Sequence, residues 1–118
     1  MPKKAMEILT ESMFYCLMAL NRCPMCGIDI AAIVDGKTRG RVQLGPATLY
    51  TILGKFQKED YIEETEVDGR KRTYTLTLEG AAAYREELDR LRACIADAEK
   101  GADFEAAPHQ ALCPLPAH

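Results

Sequence analysis

Hydrophobic positions along the chain fall into helical spacing four times and into strand alternation once. Thr10 suits an N-cap, and Met13, Phe14, Leu17 and Met18 recur at i, i+1, i+4 and i+5, one face of an amphipathic helix. That helix stops between Asn21 and Pro24, because proline cannot continue the helical bonds. A second helix starts at Cys26 or Gly27, with Ile28, Ala31 and Ala32 on one side and Ile30, Ile33 and Val34 widening the apolar arc. Gly36 or Gly40 closes it. Residues 41–44 are short and mixed. Gly45-Pro46 opens a third helix, with proline at the first helical position, where no donor is missed. Its stripe is Leu49, Ile52, Leu53 and Phe56, at i, i+3, i+4 and i+7. Ala47, Thr48, Thr51, Lys55 and Lys58 are left facing outward, with Tyr50 near the stripe's edge.

The pattern then changes period. Residues 61–67 and 70–78 read as two arms, the second alternating Tyr74, Leu76 and Leu78 against Thr73, Thr75 and Thr77. Asp68-Gly69 between them is a hairpin signal, since a tight turn needs positive φ. Thr77 can cap a last helix carrying Ala81, Tyr84, Leu88, Leu91, Ile95 and Ala98. Their alternating spacings of three and four are those of a coiled-coil seam. Residues 101–118 hold three prolines and little periodicity, a weakly ordered tail.

Three helices, a two-stranded hairpin and a final helix are the layout of a winged helix-turn-helix. The expected fold class is therefore mainly α with a small β-hairpin, a winged helix-turn-helix plus a C-terminal dimerisation helix. The expected division is 1–78 for the DNA-binding domain, 79–100 for the dimerisation helix and 101–118 for the tail. At 118 residues, 47% hydrophobic and 28% charged, the chain can bury a core without metals or disulfides. It has no apolar run of spanning length, and Glu7 and Glu11 interrupt its apolar start. Five cysteines, an odd count, suit a reducing cytoplasm. No membrane partner is expected.

Charge changes the picture most. The net charge is −3, which alone argues against a nucleic-acid partner. Yet residues 37–58 carry +5 with no acid, and 70–72 carry +3, whereas 59–69 carry −6 and the remaining segments are mildly acidic. DNA responds to a local positive surface rather than to a total. The two basic blocks fall on the third helix with its approach, and on the hairpin.

The runs LTESMFYCLMALNRCPMCGIDI (9–30), LGPATLYTILGKFQKEDYIEE (44–64) and VDGRKRTYTLTLEG (67–80) resemble the PadR family of bacterial transcriptional regulators over roughly residues 9–100. The family's Gly-Pro-x-Thr-Leu-Tyr helix start falls on Gly45, Pro46, Thr48, Leu49 and Tyr50. Its Asp-Gly-Arg-(Lys/Arg) wing falls on Asp68, Gly69, Arg70, Lys71 and Arg72. The resemblance implies a dimeric winged-helix repressor whose C-terminal helix supplies much of the dimer contact. The family's first turn often reads Pro-Met-His-Gly-Tyr-Glu-Ile, where this chain has Pro24-Met25-Cys26-Gly27-Ile28-Asp29-Ile30. With no tryptophan, the indole stacking of planar drugs used by some members is not open to this chain.

Double-stranded operator DNA and a second copy of the chain are thus the expected partners, with an unidentified small-molecule effector as a possible third. The expected DNA-binding residues are Lys37, Arg39, Arg41, Pro46, Ala47, Thr48, Tyr50, Thr51, Lys55, Arg70, Lys71 and Arg72. Arg and Lys neutralise phosphates, whereas Thr48, Tyr50 and Thr51 offer polar contacts and Ala47 an apolar one to a thymine methyl. The expected dimer interface is Phe14, Met18, Tyr84, Leu88, Leu91 and Ile95. About two and a half heptads are marginal alone, so the first helix is expected to join that contact.

Cys23-Pro24-Met25-Cys26 is the one motif with chemistry of its own. It lacks βαβ surroundings, and no second C-x-x-C or nearby histidine completes a zinc site, so inert cysteines are favoured over a metal or redox switch. No cofactor is implied. No triad, paired carboxylates or phosphate loop stands out, so an enzyme is not expected. The alternatives are a winged-helix module that binds protein, or a thiol- or metal-responsive form of the repressor.

Overall fold

The computed structural model describes residues 9–68 and 71–100, the side chains of 66–68 and 71 lying outside that description. Its elements run α1 (Glu11–Arg22), β1 (Met25–Cys26), α2 (Gly27–Thr38), α3 (Pro46–Lys58), β2 (Ile62–Asp68), β3 (Lys71–Leu76) and α4 (Leu78–Glu99). This is four helices with a small three-stranded antiparallel sheet in the order β1-β3-β2, the winged helix-turn-helix class expected from the pattern.

Each boundary has a local cause. Thr10 Oγ1 accepts from the Met13 amide at 3.1 Å and starts α1. Arg39 closes α2 in the left-handed region at φ 54°, and Gly40 follows at φ 80°. Thr38 Oγ1 donates to the Val34 carbonyl at 2.8 Å and accepts from the Val42 amide at 3.0 Å, which fixes the turn toward α3. Thr77 caps α4 as expected, its Oγ1 accepting from the Gly80 amide at 2.9 Å while it donates to the Asp60 carbonyl at 2.6 Å. These bonds satisfy donors and acceptors that helix ends would otherwise leave open.

The core is built from Cys16, Leu17 and Leu20 of α1, Ile30 and Val34 of α2, and the full expected stripe of α3, Leu49, Ile52, Leu53 and Phe56. Ile62 and Tyr74 close it from the sheet, and Tyr61, just before β2, lies 5.9 Å from Phe56 between ring centroids.

Several expectations are corrected. The sheet is not a lone hairpin: Met25 pairs with Tyr74 and Cys26 with Thr73, joining the start of α2 to the wing. A strand of two residues is too short to show period two. On α2 the buried positions are Gly27, Ile30 and Val34, and Ile28 is 71% exposed. Two residues advance a helix by about 200°, so Ile28 and Ile30 cannot both face the core. The short, mixed stretch 41–44 brings Val42 and Leu44 into the core. Leu78 does not extend the strand; it is the first residue of α4 and 87% exposed, because the Thr77 cap has already turned the chain. Asp68 pairs with Lys71 and is a strand residue rather than half of the turn. Gly69, Arg70 and the tail 101–118 lie outside the described residues.

The chain divides into two compact units, Met1–Glu87 and Leu88–His118. In the first, Phe14 is buried and stacks on Tyr84 with ring centroids 5.3 Å apart. In the second, Leu88 and Leu91 are half-buried and Ile95 is 55% exposed.

Candidate nucleic-acid interface

α3 begins at an N-cap, Gly45, that offers no side-chain oxygen, followed by Pro46. Glycine and proline start a helix by backbone geometry alone, leaving its first amides for outside acceptors. Ala47, Thr48, Thr51, Lys55 and Lys58 are all exposed on the face opposite the buried stripe. No acidic side chain interrupts residues 36–58.

Tyr50 is half-exposed, and its ring lies over the start of α2: a Cβ on Gly27 would stand 2.7 Å from its hydroxyl oxygen and 3.0 Å from Cζ. The ring therefore touches α2 on one side and is open on the other. A side chain at position 27 would push the tyrosine hydroxyl aside.

Before α3, Lys37 and Arg39 are exposed. Arg41 is engaged within its own chain: it forms an ion pair with Glu11, donates to the Tyr15 hydroxyl at 3.0 Å and lies 5.9 Å from the Tyr15 ring centroid. The hydrogen bond to Glu11, then that to Tyr15, holds its guanidinium above the usual arginine range. A phosphate reaching Arg41 must compete with Glu11 for its guanidinium, whereas among the described residues Lys37 and Arg39 make no ion pair or side-chain hydrogen bond. Gln43, which the sequence reading passes over, stands with Ala31, Ala32, Asp35, Leu44 and Gly45 around a 580 Å³ surface cavity beside the entry to α3. A single glutamine in a mixed stretch carries no signal in sequence.

On the wing, β2 and β3 pair from Ile62↔Leu76 to Asp68↔Lys71, with an irregularity between Glu64 and Glu66. Arg72 Nε lies 3.6 Å from a carboxylate oxygen of Glu64. Burial pushes the Tyr74 hydroxyl above its ordinary range, the nearby charges of Glu64 and Tyr50 push the same way, and Arg72 opposes them. The backbone of Lys71 is in the ladder, and Arg70 lies outside the described residues.

Cys23 is exposed, Cys26 is buried, and neither is in a disulfide. Cys23 has extended dihedrals just outside the sheet, whereas Cys26 is buried in β1. Among the described residues no three metal-ligating side chains gather. Cys16, buried in α1, has its thiol pushed up to about 12 by burial.

Comparison with known proteins places this architecture. The model of the transcriptional regulator PadR-like family matches residues 16–86. No curated protein matches the chain. Among solved structures, the chain is similar to a transcriptional regulator from Clostridium thermocellum (TM-score 0.67, 22% identity, 75% of this chain and 89% of that one). It is also similar to RosR of H. salinarum (TM-score 0.65, 22% identity, 88% and 96%). A third is a PadR family transcription regulator from hypervirulent Clostridium difficile R20291 (TM-score 0.65, 16% identity, 79% and 99%). At such identities the likeness carries the fold, while the family rests on the match over 16–86, more than half of the sequence. The chain belongs to the PadR-like family of transcriptional regulators, and so to regulators rather than enzymes.

Proposed function

We propose that this regulator binds double-stranded operator DNA in the cytoplasm as a homodimer, represses transcription, and is released by an effector that favours a different spacing of its two α3 helices. The observation that carries the reading is the outer face of α3: Ala47, Thr48, Thr51 and Lys55 are exposed within a stretch that holds five basic residues and no acid.

The roles divide by chemistry. Lys37, Arg39, Lys55 and the wing residues Arg70, Lys71 and Arg72 supply phosphate contacts, Arg72 in competition with Glu64, and Arg41 joins them in competition with Glu11. Thr48 and Thr51 reach base edges or phosphates, Ala47 offers a methyl group, and the amides after Pro46 offer donors. Tyr50 presents the open side of its ring and, through Gly27, keeps α3 seated on α2.

Two copies are needed on physical grounds, since one head with about five to eight such contacts binds weakly at physiological salt. The half-exposed Leu88, Leu91 and Ile95 of α4 supply the apolar contact, with Met18 and the Phe14–Tyr84 stack as the share of the first unit. Fluorescence anisotropy against duplex from upstream of the protein's own gene, titrated over salt, tests the reading. Saturable binding that weakens as salt rises is expected, and absent or salt-insensitive binding overturns it. A protein-binding module in place of this reading needs an apolar outer face on α3, where Thr48, Thr51, Lys55, Gln57 and Lys58 are exposed and Tyr50 is the one large apolar side chain among the exposed residues.

A further inference from the structure

The inner face of the wing holds a charge pair that DNA binding does not require. Alternate residues of a strand share a face, so Ile62 and Glu64 of β2 stand on one side with Leu76, Tyr74 and Arg72 of β3. Ile62 and Tyr74 are buried, so this is the core-facing side. Glu64 and Arg72 are its outermost described members, with side chains 25% and 60% exposed. Glu64 faces Tyr74 directly and meets Arg72 on the diagonal, where Nε and the carboxylate oxygen are 3.6 Å apart.

We propose that Glu64 is a built-in competitor for Arg72, occupying the guanidinium in the free protein and lowering the affinity of the wing for every duplex alike. This rests on the DNA-binding reading of α3 and the wing given above. A carboxylate and a phosphate present the same acceptor chemistry to a guanidinium, so one can replace the other. The Glu64 contact is long and involves one nitrogen, which makes it weak enough to exchange. It does not disappear on exchange. The Glu64 backbone is fixed in the ladder opposite Tyr74, so its carboxylate stays within a Debye length of any phosphate that Arg72 takes and repels it. The reduction falls on the backbone contacts that all sequences share, and the side chains of α3 are untouched.

Glu63 supplies the control. It carries the same charge one residue away, is exposed, and points to the opposite face of β2. The test is anisotropy with a fluorescein-labelled duplex of arbitrary sequence, about 30 base pairs, at roughly 50 mM salt, where binding to any sequence is measurable. Glu64→Gln is expected to bind about two- to fivefold tighter than the wild type. Glu63→Gln is expected to gain clearly less. In an Arg72→Ala background the gain from Glu64→Gln is expected to shrink to that of Glu63→Gln. Far-ultraviolet circular dichroism verifies that each variant is folded. A Glu64→Gln gain no larger than that of Glu63→Gln, a gain that survives Arg72→Ala, or a loss of affinity each overturns the proposal. Failure of the wild type to bind any duplex instead removes the DNA reading itself, and the competitor with it.

Discussion

Gly80, in the first turn of α4, lies directly beneath the carbonyl of Tyr61: a Cβ at position 80 would stand 2.1 Å from that oxygen and 2.9 Å from Leu76 Cδ1. The turn into α4 is thus pressed against the start of β2. Tyr61 O also accepts from the Thr77 amide at 3.0 Å, so it cannot move aside without breaking that bond. Alanine in an ordinary helical site gains about 1 kcal/mol over glycine. Here overlap with a backbone atom outweighs that gain, and Gly80→Ala is expected to lose about 3 kcal/mol or more in urea unfolding. Gly36→Ala, with nothing within 4 Å of its added carbon, is expected to gain about 0.5–1 kcal/mol.

The double role of Thr38 gives a second test. Thr38→Ala leaves the Val42 amide without its partner at 3.0 Å and removes the bond to Val34 O. A loss of about 1–2 kcal/mol is expected, with Thr38→Ser retaining most of the stability.

Cys16 makes stability depend on alkaline pH. Its thiol titrates at about 12 in the folded chain against 9.0 for the free group, because burial disfavours the thiolate. Above the lower value the unfolded chain releases the proton while the folded chain retains it, so this contribution is intact below pH 9 and is lost as pH rises toward 12. The expected slope is about 1.4 kcal/mol per pH unit from this group. Cys16→Ala costs stability at neutral pH by leaving a cavity, but its unfolding free energy should fall less steeply than that of the wild type above pH 9.

Contacts on α3 and the wing are separable by salt and sequence. Lys55→Ala is expected to weaken all duplexes alike and reduce the magnitude of the log–log salt slope by about 1. Thr51→Ala is expected to leave the salt slope unchanged and to lower affinity for the operator more than for random DNA. Equal losses on both DNAs would make Thr51 a phosphate contact.

Assembly is tested on the outer half of α4. Leu91→Asp and Ile95→Asp put a charge where an apolar contact is proposed, and each is expected to shift sedimentation from two copies to one. An unchanged sedimentation coefficient would assign these side chains to their own subunit.

Long periodic stretches were legible in the sequence, and contacts between distant residues were not. The stripe Leu49, Ile52, Leu53 and Phe56 is buried as its spacing requires, and the Thr10 and Thr77 caps are where hydroxyls precede apolar runs. β1 escaped because two residues have no period, and Ile28 misled because α2 is apolar almost all round. For the candidate interface, sequence located the basic blocks but not the state of their charges. Arg41 meets Glu11 across thirty positions, and Arg72 meets Glu64 because the chain folds back as a hairpin. Composition treats all arginines as equal, whereas folding divides them into engaged and free.

The entry of α3 through Gly45 and Pro46 has its own consequence. A helix whose cap residue brings no hydroxyl or carboxylate is completed by whichever oxygen arrives from outside. In dilute solution that oxygen belongs to water. Against a duplex, a phosphate oxygen would complete it, and hydrogen exchange at Ala47 and Thr48 would then slow in step with occupancy.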